Sequence, residues 1–302
     1  MQSKILRNGA TLVCALLVVA CATIEIDLPS VSDVPTSQRL PGKIIWHDLL
    51  TNDVQASQKF YGELFGWEFE SIGSDSGFKS DSIYTLIRHD GRLIGGMIDT
   101  VALNGKDDIS QWVVVMSVDD VDAAAAKFAA DGGEVITPPS DLQRRGRLAV
   151  VRDTEGALLA LLQTRDGDPV DSEPVVDEFL WDELWTSDVD SATQFYSSMT
   201  GLQADEWETD QDQSSAATYR LLKSGEKPRV GIMPNPLEEL GPVWVSYLRV
   251  ESPADIAAKV EALGGYVIVA AQARAIGGEV AFIAGPSGAG IALQTWPLKQ
   301  EN

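Results

Sequence analysis

The chain has 302 residues, enough for two domains of ordinary size, each with its own core. Its 45 acidic against 23 basic residues leave a formal charge of −22, which repels phosphate backbones and anionic surfaces and speaks against nucleic acid as a partner. Two cysteines and two histidines leave little room for thiolate metal centres or a histidine-based catalytic triad.

Residues 1–21 read MQSKILRNGATLVCALLVVAC. Basic Lys4 and Arg7 precede an apolar run over residues 10–20 that only Thr11 interrupts. The run is shorter than the ~20 residues of a bilayer crossing and has the make-up of a secretory signal. Its end, Val18-Val19-Ala20-Cys21, resembles the bacterial lipobox, so residues 1–20 are expected to be removed and Cys21 to carry the lipid. Ala22 in place of an aspartate points, by the same resemblance, to the outer membrane with the domains facing the periplasm. Cys14 lies in the removed segment, so the mature domains hold no thiol. Residues 21–41, with Ser, Pro and Asp and no sustained periodicity, read as the lipidated cysteine and a flexible tether.

Beyond Pro41 the apolar periodicity becomes regular. Residues 44–50 read as a strand, 53–65 as a helix capped by Asp53, and 67–70, 82–88 and 92–98 as three more strands, with HDGR at 89–92 as a hairpin turn. The same order follows again: a strand at 112–118, an Ala-rich helix at 121–130, a short strand at 134–136, and strands at 147–152 and 157–163. An acidic stretch with two prolines, residues 167–177, reads as a linker between a first domain at 42–166 and a second at 178–298. The second domain carries helices near 188–199 and 253–263.

The second domain repeats the first. Trp46, Asp53, Phe60, Tyr61 and Gly66 recur 135 residues later as Trp181, Asp188, Phe195, Tyr196 and Gly201. Val118, Gly156 and Ala160 recur 132 residues later as Val250, Gly288 and Ala292. Tandem duplication of a unit that is itself two βαβββ modules accounts for both spacings.

The paired modules, the phrase QKFYGELFGWEFE after the first strand, VDDVDAAAAKFAADGG after the fifth and VVRDTEGALLALLQ closing the first domain resemble the vicinal oxygen chelate superfamily. That superfamily includes glyoxalase I, extradiol dioxygenases, fosfomycin-resistance enzymes and bleomycin-binding proteins. The resemblance covers residues 43–163 and 179–296. It implies an α+β fold of tandem glyoxalase-like domains, in which two βαβββ modules form a curved mixed-sheet cup.

In metal-dependent members the cup holds a divalent ion through side chains on its first, fifth and eighth strands. Carried over residue by residue, these positions are Trp46, Val113 and Ala160 in the first domain and Trp181, Val245 and Ala292 in the second. The indole nitrogen is a donor without an available lone pair and the others are aliphatic, so no metal and no cofactor is expected. His47 falls one residue out of that register, so strand alternation points it to the opposite face of the sheet. His89, in the hairpin turn, is expected in solvent.

Each cup then offers an aromatic plate beside a carboxylate: Trp46 with Asp48, and Trp181 with Glu183 and Trp185. Tyr84, Tyr219 and Tyr247 add hydroxyls. The set suits a small organic molecule, cationic or aromatic, held by ring faces and an ion pair; the same tryptophans would also fill the space a metal leaves. The expectation is a lipid-anchored, metal-independent binding protein that meets the membrane through its anchor alone. The alternatives are an enzyme of the lyase, isomerase or dioxygenase type, and a structural module with vestigial cups. No catalytic residue is assigned.

Overall fold

The computed structural model describes residues 27–72, 83–103, 109–206, 219–237, 239–274 and 277–296; the segment expected to be a signal and Cys21 lie outside them. The first domain is built from β1 (Ile44–Thr51), α1 (Val54–Phe65), β2 (Glu68–Ile72), β3 (Tyr84–His89) and β4 (Arg92–Asp99), then β5 (Gln111–Ser117), α2 (Val121–Ala130), β6 (Glu134–Asp141), β7 (Gly146–Arg152) and β8 (Leu158–Thr164). The second repeats it with β9 (Phe179–Thr186), α3 (Val189–Thr200), β10 (Gln203–Glu206), β11 (Arg220–Ser224) and β12 (Lys227–Pro234). It continues with β13 (Val243–Arg249), α4 (Pro253–Val260), β14 (Tyr266–Ala273), β15 (Glu279–Ala284) and β16 (Gly290–Gln294).

Each domain is one eight-stranded sheet, ordered β2-β3-β4-β1-β5-β8-β7-β6 and β10-β11-β12-β9-β13-β16-β15-β14. The two modules of a domain meet at antiparallel first strands, β1 with β5 and β9 with β13, and each first strand also pairs in parallel with the last strand of its own module. Every helix starts the same way. Asp53, Asp120, Asp188 and Ser252 accept a hydrogen bond from the backbone N–H three residues on, filling one of the donors a helix start leaves open. In the hairpin between β3 and β4, Asp90 and Gly91 both take positive φ, 50° and 75°, the geometry of a two-residue turn that matches strand twist.

Side-chain alternation divides each sheet into two faces. Val114 and Met116 of β5 point to the helix-covered side, while Val113 and Val115 point to the other. The helix-covered faces of the two domains pack on each other. Val114, Phe128 and Leu161 share a core with Leu184, Phe195 and Trp244, and Leu49, Phe60 and Tyr61 share another with Leu248, Ile283 and Leu293. The cups therefore face outward on opposite sides of the molecule.

Each domain carries the same hydrogen bond beneath this shared face, and one pair of equivalent positions meets across it. The Tyr61 hydroxyl accepts from Trp112 Nε1 at 3.1 Å and the Tyr196 hydroxyl from Trp244 Nε1 at 3.2 Å, the same contact in both copies. His47, as its register required, points away from the cup. Its Nε2 lies 3.0 and 3.1 Å from the two Asp182 carboxylate oxygens, both residues buried, and its ring stacks on Phe179 at 3.7 Å. Asp182 stands 135 residues after His47, so this position faces its own counterpart and must lie close to the axis relating the two domains.

Four expectations change. Residues 27–41 are docked onto the first domain: Leu28 and Val31 are buried, the Arg39 guanidinium donates to the Thr164 carbonyl, and Leu40 N–H donates to the Asp168 carboxylate. Two apolar side chains and a few polar anchors suffice to hold a segment that has no periodicity to betray it. The stretch expected as a linker is likewise fixed, with Asp168 fully buried beside Ser117 and Thr164 and Asp171 paired to Lys43, Lys227 and Arg229. His89 is half-buried, its Nδ1 3.0 Å from Glu178 of the second domain, because the hairpin abuts the start of β9. β6 also runs past residue 136 through Pro138 and Pro139, which an edge strand with an irregular register tolerates.

Candidate functional site in the two cups

A bulge in β1 sets up the first cup. The register slips between Ile44 and Trp46, so Ile45 and Trp46 both face the cup, with Leu50 further along the strand. Trp46 Nε1 lies 3.0 Å from Asp48 Oδ1 and 3.0 Å from the Tyr84 hydroxyl, which itself donates to Asp48 Oδ1 at 2.6 Å. Arg145, from the turn between β6 and β7, donates from Nη1 to the same hydroxyl at 2.7 Å and lies over the Trp46 ring at 4.6 Å. A side chain at Gly96 would overlap Tyr84 and Asp48, so glycine is what lets this knot sit on β4.

The second cup repeats the knot with a longer carboxylate. Glu183 is fully buried. Its Oε1 accepts from Tyr219 at 2.7 Å and pairs with Arg274 Nη2 at 2.5 Å; its Oε2 accepts from Tyr247 at 2.5 Å and from Trp185 Nε1 at 3.4 Å. Trp181 Nε1 donates to the Tyr219 hydroxyl at 3.1 Å, and Arg274 Nη1 donates to Gln294 Oε1 at 2.5 Å. Gly231, the counterpart of Gly96, again makes room, here for Tyr219.

Burial pushes the phenols of Tyr84, Tyr219 and Tyr247 well above their ordinary range, with the neighbouring carboxylate adding to it. They stay protonated and act as donors. Burial works against the Arg274 cation, but the Glu183 carboxylate offsets it and the guanidinium is held above its usual value. Glu183 thus already has its counter-charge, which removes the free ion-pair partner that a cationic ligand would require.

The structure brings all eight expected residues into two groups: Trp46, Asp48 and Tyr84 in one cup, and Trp181, Glu183, Trp185, Tyr219 and Tyr247 in the other. The two arginines were not expected. They escape a repeat alignment because they are not equivalent: Arg145 ends its turn where the second copy has Gly277, and Arg274 begins its turn where the first copy has Leu142. A buried carboxylate among aromatics, in search of a cation, was the available signal.

The ligand positions that the family resemblance implies do not fit a divalent ion. Trp46, Val113 and Ala160 lie in one buried apolar cluster, and Trp181, Val245 and Ala292 in or against the other, with no lone pair among their side chains. Among the described residues no three His, Cys, Asp or Glu side chains group so as to hold a metal.

Comparison with known proteins places this geometry. The family model described as the glyoxalase/bleomycin resistance protein/dioxygenase superfamily matches residues 43–161. A Mycobacterium bovis protein named "Putative glyoxylase CFP32" is 30% identical over 246 residues, 81% of this chain and 91% of its own length. The anthracycline biosynthesis protein DnrV of Streptomyces peucetius is 34% identical over 173 residues, 54% of this chain and 62% of its own. Among solved structures, the Mn(II)-bound glyoxalase of Novosphingobium aromaticivorans shares the fold with a TM-score of 0.56 at 17% identity, over 85% of this chain and 83% of that one. A catechol 2,3-dioxygenase does so with 0.52 at 15% identity, over 87% and 92%. By sequence and by fold alike, the chain belongs to the glyoxalase/bleomycin resistance protein/dioxygenase superfamily.

Proposed function

We propose that the second cup binds a flat aromatic small molecule without a metal ion, on a chain held by lipid at Cys21 to the outer membrane and facing the periplasm. The observation that carries the reading is the wall of that cup. Where the first has Leu50, Val115 and Val150, the second has Trp185, Tyr247 and Phe282, and Trp181 packs half-buried against them. Trp185 and Phe282 lie 5.1 Å apart, and Met233, Leu237 and Ile268 add half-buried apolar surface. A concave apolar site with a few fixed polar groups is the usual form of a small-molecule pocket.

Binding is favoured over turnover because both Glu183 oxygens are committed to donors, which leaves it no share in a general-base step. DnrV, a relative named for anthracycline biosynthesis, is in keeping with a flat ring as ligand. The absence of lone pairs at the family's ligand positions supports metal independence, and the lipobox-like ending at Cys21 supports the anchor. A thermal-shift screen of aromatic compounds tests the binding: stabilisation lost in Trp181→Ala supports it, and no shift across a broad aromatic set refutes it. Stoichiometric transition metal in the purified protein would refute the metal-free reading, and a Cys21→Ser chain still found in membranes would refute the anchor.

A further inference from the structure

The first cup is occupied by the protein itself. Leu28 and Val31, 6% and 2% exposed, belong to the same buried cluster as Trp46, Leu50, Tyr84 and Leu148. Between them the Pro29 carbonyl accepts from Arg145 Nε at 3.1 Å, and Asp27 pairs with Arg144 at 2.9 Å. Arg145 is itself 2% exposed. Its Nη1 serves Tyr84, its Nε serves Pro29, and its Nη2 is buried with no hydrogen-bond partner among the described residues.

That orphan is informative because of guanidinium geometry. Nε–H and one Nη2–H lie parallel along one edge of the plane, the edge that grips both oxygens of a carboxylate. Here a single peptide carbonyl takes one donor of the edge and leaves the other unmet, which a buried donor does not do without cost. Leu28-Pro29 therefore fills the cup as a partial mimic, with an apolar body and one acceptor oxygen where the site has donors for two.

We propose that the first cup is a second ligand site, closed by the chain's own Leu28–Val31 segment, and that its ligand is an apolar molecule whose carboxylate spans Nε and Nη2 of Arg145 in place of the Pro29 carbonyl. The segment is then a displaceable strap, and the ligand competes with it. The inference goes beyond the reading of the second cup and does not depend on it, since none of its residues lies there.

The test keeps the chain whole until it has folded. A protease recognition sequence inserted between Asp33 and Val34, where both residues are exposed, lets the folded full-length protein be cut afterwards, leaving the strap held by non-covalent contacts alone. All chains carry Trp181→Ala, so binding in the second cup does not enter. 2-Naphthoate is the probe and 2-naphthamide its control, which has the same rings and no carboxylate. Cut protein is expected to release the strap fragment on gel filtration with naphthoate, and to bind naphthoate by calorimetry at least tenfold more tightly than uncut protein and at least tenfold more tightly than naphthamide. If the strap leaves as soon as it is cut, the affinity comparison alone decides. Arg145→Gln should abolish the preference for the acid over the amide. Equal affinity in cut and uncut chains, or equal affinity for acid and amide, overturns the proposal.

Discussion

The two cups descend from one pattern and have diverged in opposite directions. In the first, Trp46, Ile98 and Leu148 are buried under a strap formed by residues 28–31; their counterparts Trp181, Met233 and Val280 are only half-buried. The first is walled by aliphatic side chains and its carboxylate is short, whereas the second is walled by rings and its longer carboxylate reaches a guanidinium. The shared element is the triplet of tryptophan, tyrosine and carboxylate seated on a glycine. The lesson is that a duplicated site keeps the hydrogen-bond grammar of its floor while wall and lid change, because the floor is buried and each of its members satisfies another.

The sharpest way to break that comparison is through the carboxylates. Glu183→Ala leaves Arg274 charged, largely buried and unpaired, and should cost about 3–5 kcal/mol of unfolding free energy in urea titration. Asp48→Ala strands two neutral donors, Trp46 Nε1 and the Tyr84 hydroxyl, and should cost clearly less. Equal losses would mean that the ion pair in the second cup contributes nothing beyond its hydrogen bonds.

Truncating the tryptophans comes next. Trp46→Ala empties a buried position and should cost about 3 kcal/mol. Trp181→Ala, at a position only half-buried, should cost less than half of that while removing aromatic ligand binding. A larger loss at Trp181 would show that the second cup is packed core rather than open wall.

The shared face supplies a control that touches neither cup. Asp182→Ala leaves His47 and Ser246 without their buried partner and should cost about 2 kcal/mol with ligand binding unchanged. The smallest effect belongs to Asp171, held far below the usual carboxylate range by Arg229 first and by Lys227 and Lys43 after it. A depressed carboxyl stabilises the fold above its ordinary pKa of about 4, and that contribution drains away as pH falls further, because the unfolded chain takes up the proton first. The difference between the native chain and Asp171→Asn, under about 1 kcal/mol at neutral pH, should therefore shrink in acid urea melts.

Much of this was legible in the residues. The 135- and 132-residue spacings gave four modules, and Asp53 marked a helix start, because caps and alternating strands are written locally. Strand register alone turned His47 away from the cup, and it brought Trp46, Asp48 and Tyr84 onto one surface. What escaped was what a repeat alignment compares wrongly or passes over. The two arginines reach equivalent knots from different steps of a turn, so aligning the copies hides each behind a residue with no charge. The strap escaped because Leu28 and Val31 are two apolar residues in a polar stretch, and only the cup's shape shows what they fill.

The contact between His47 and Asp182 carries a consequence for how such a molecule recognises itself. Were one half to meet an identical half about the same axis, imidazole would face imidazole or carboxylate would face carboxylate, and neither makes the bond seen here. Unlike partners at that point make the joined arrangement selective: first half with second is rewarded and like with like is not. Produced as separate polypeptides, the halves should seek each other out in preference to their own kind.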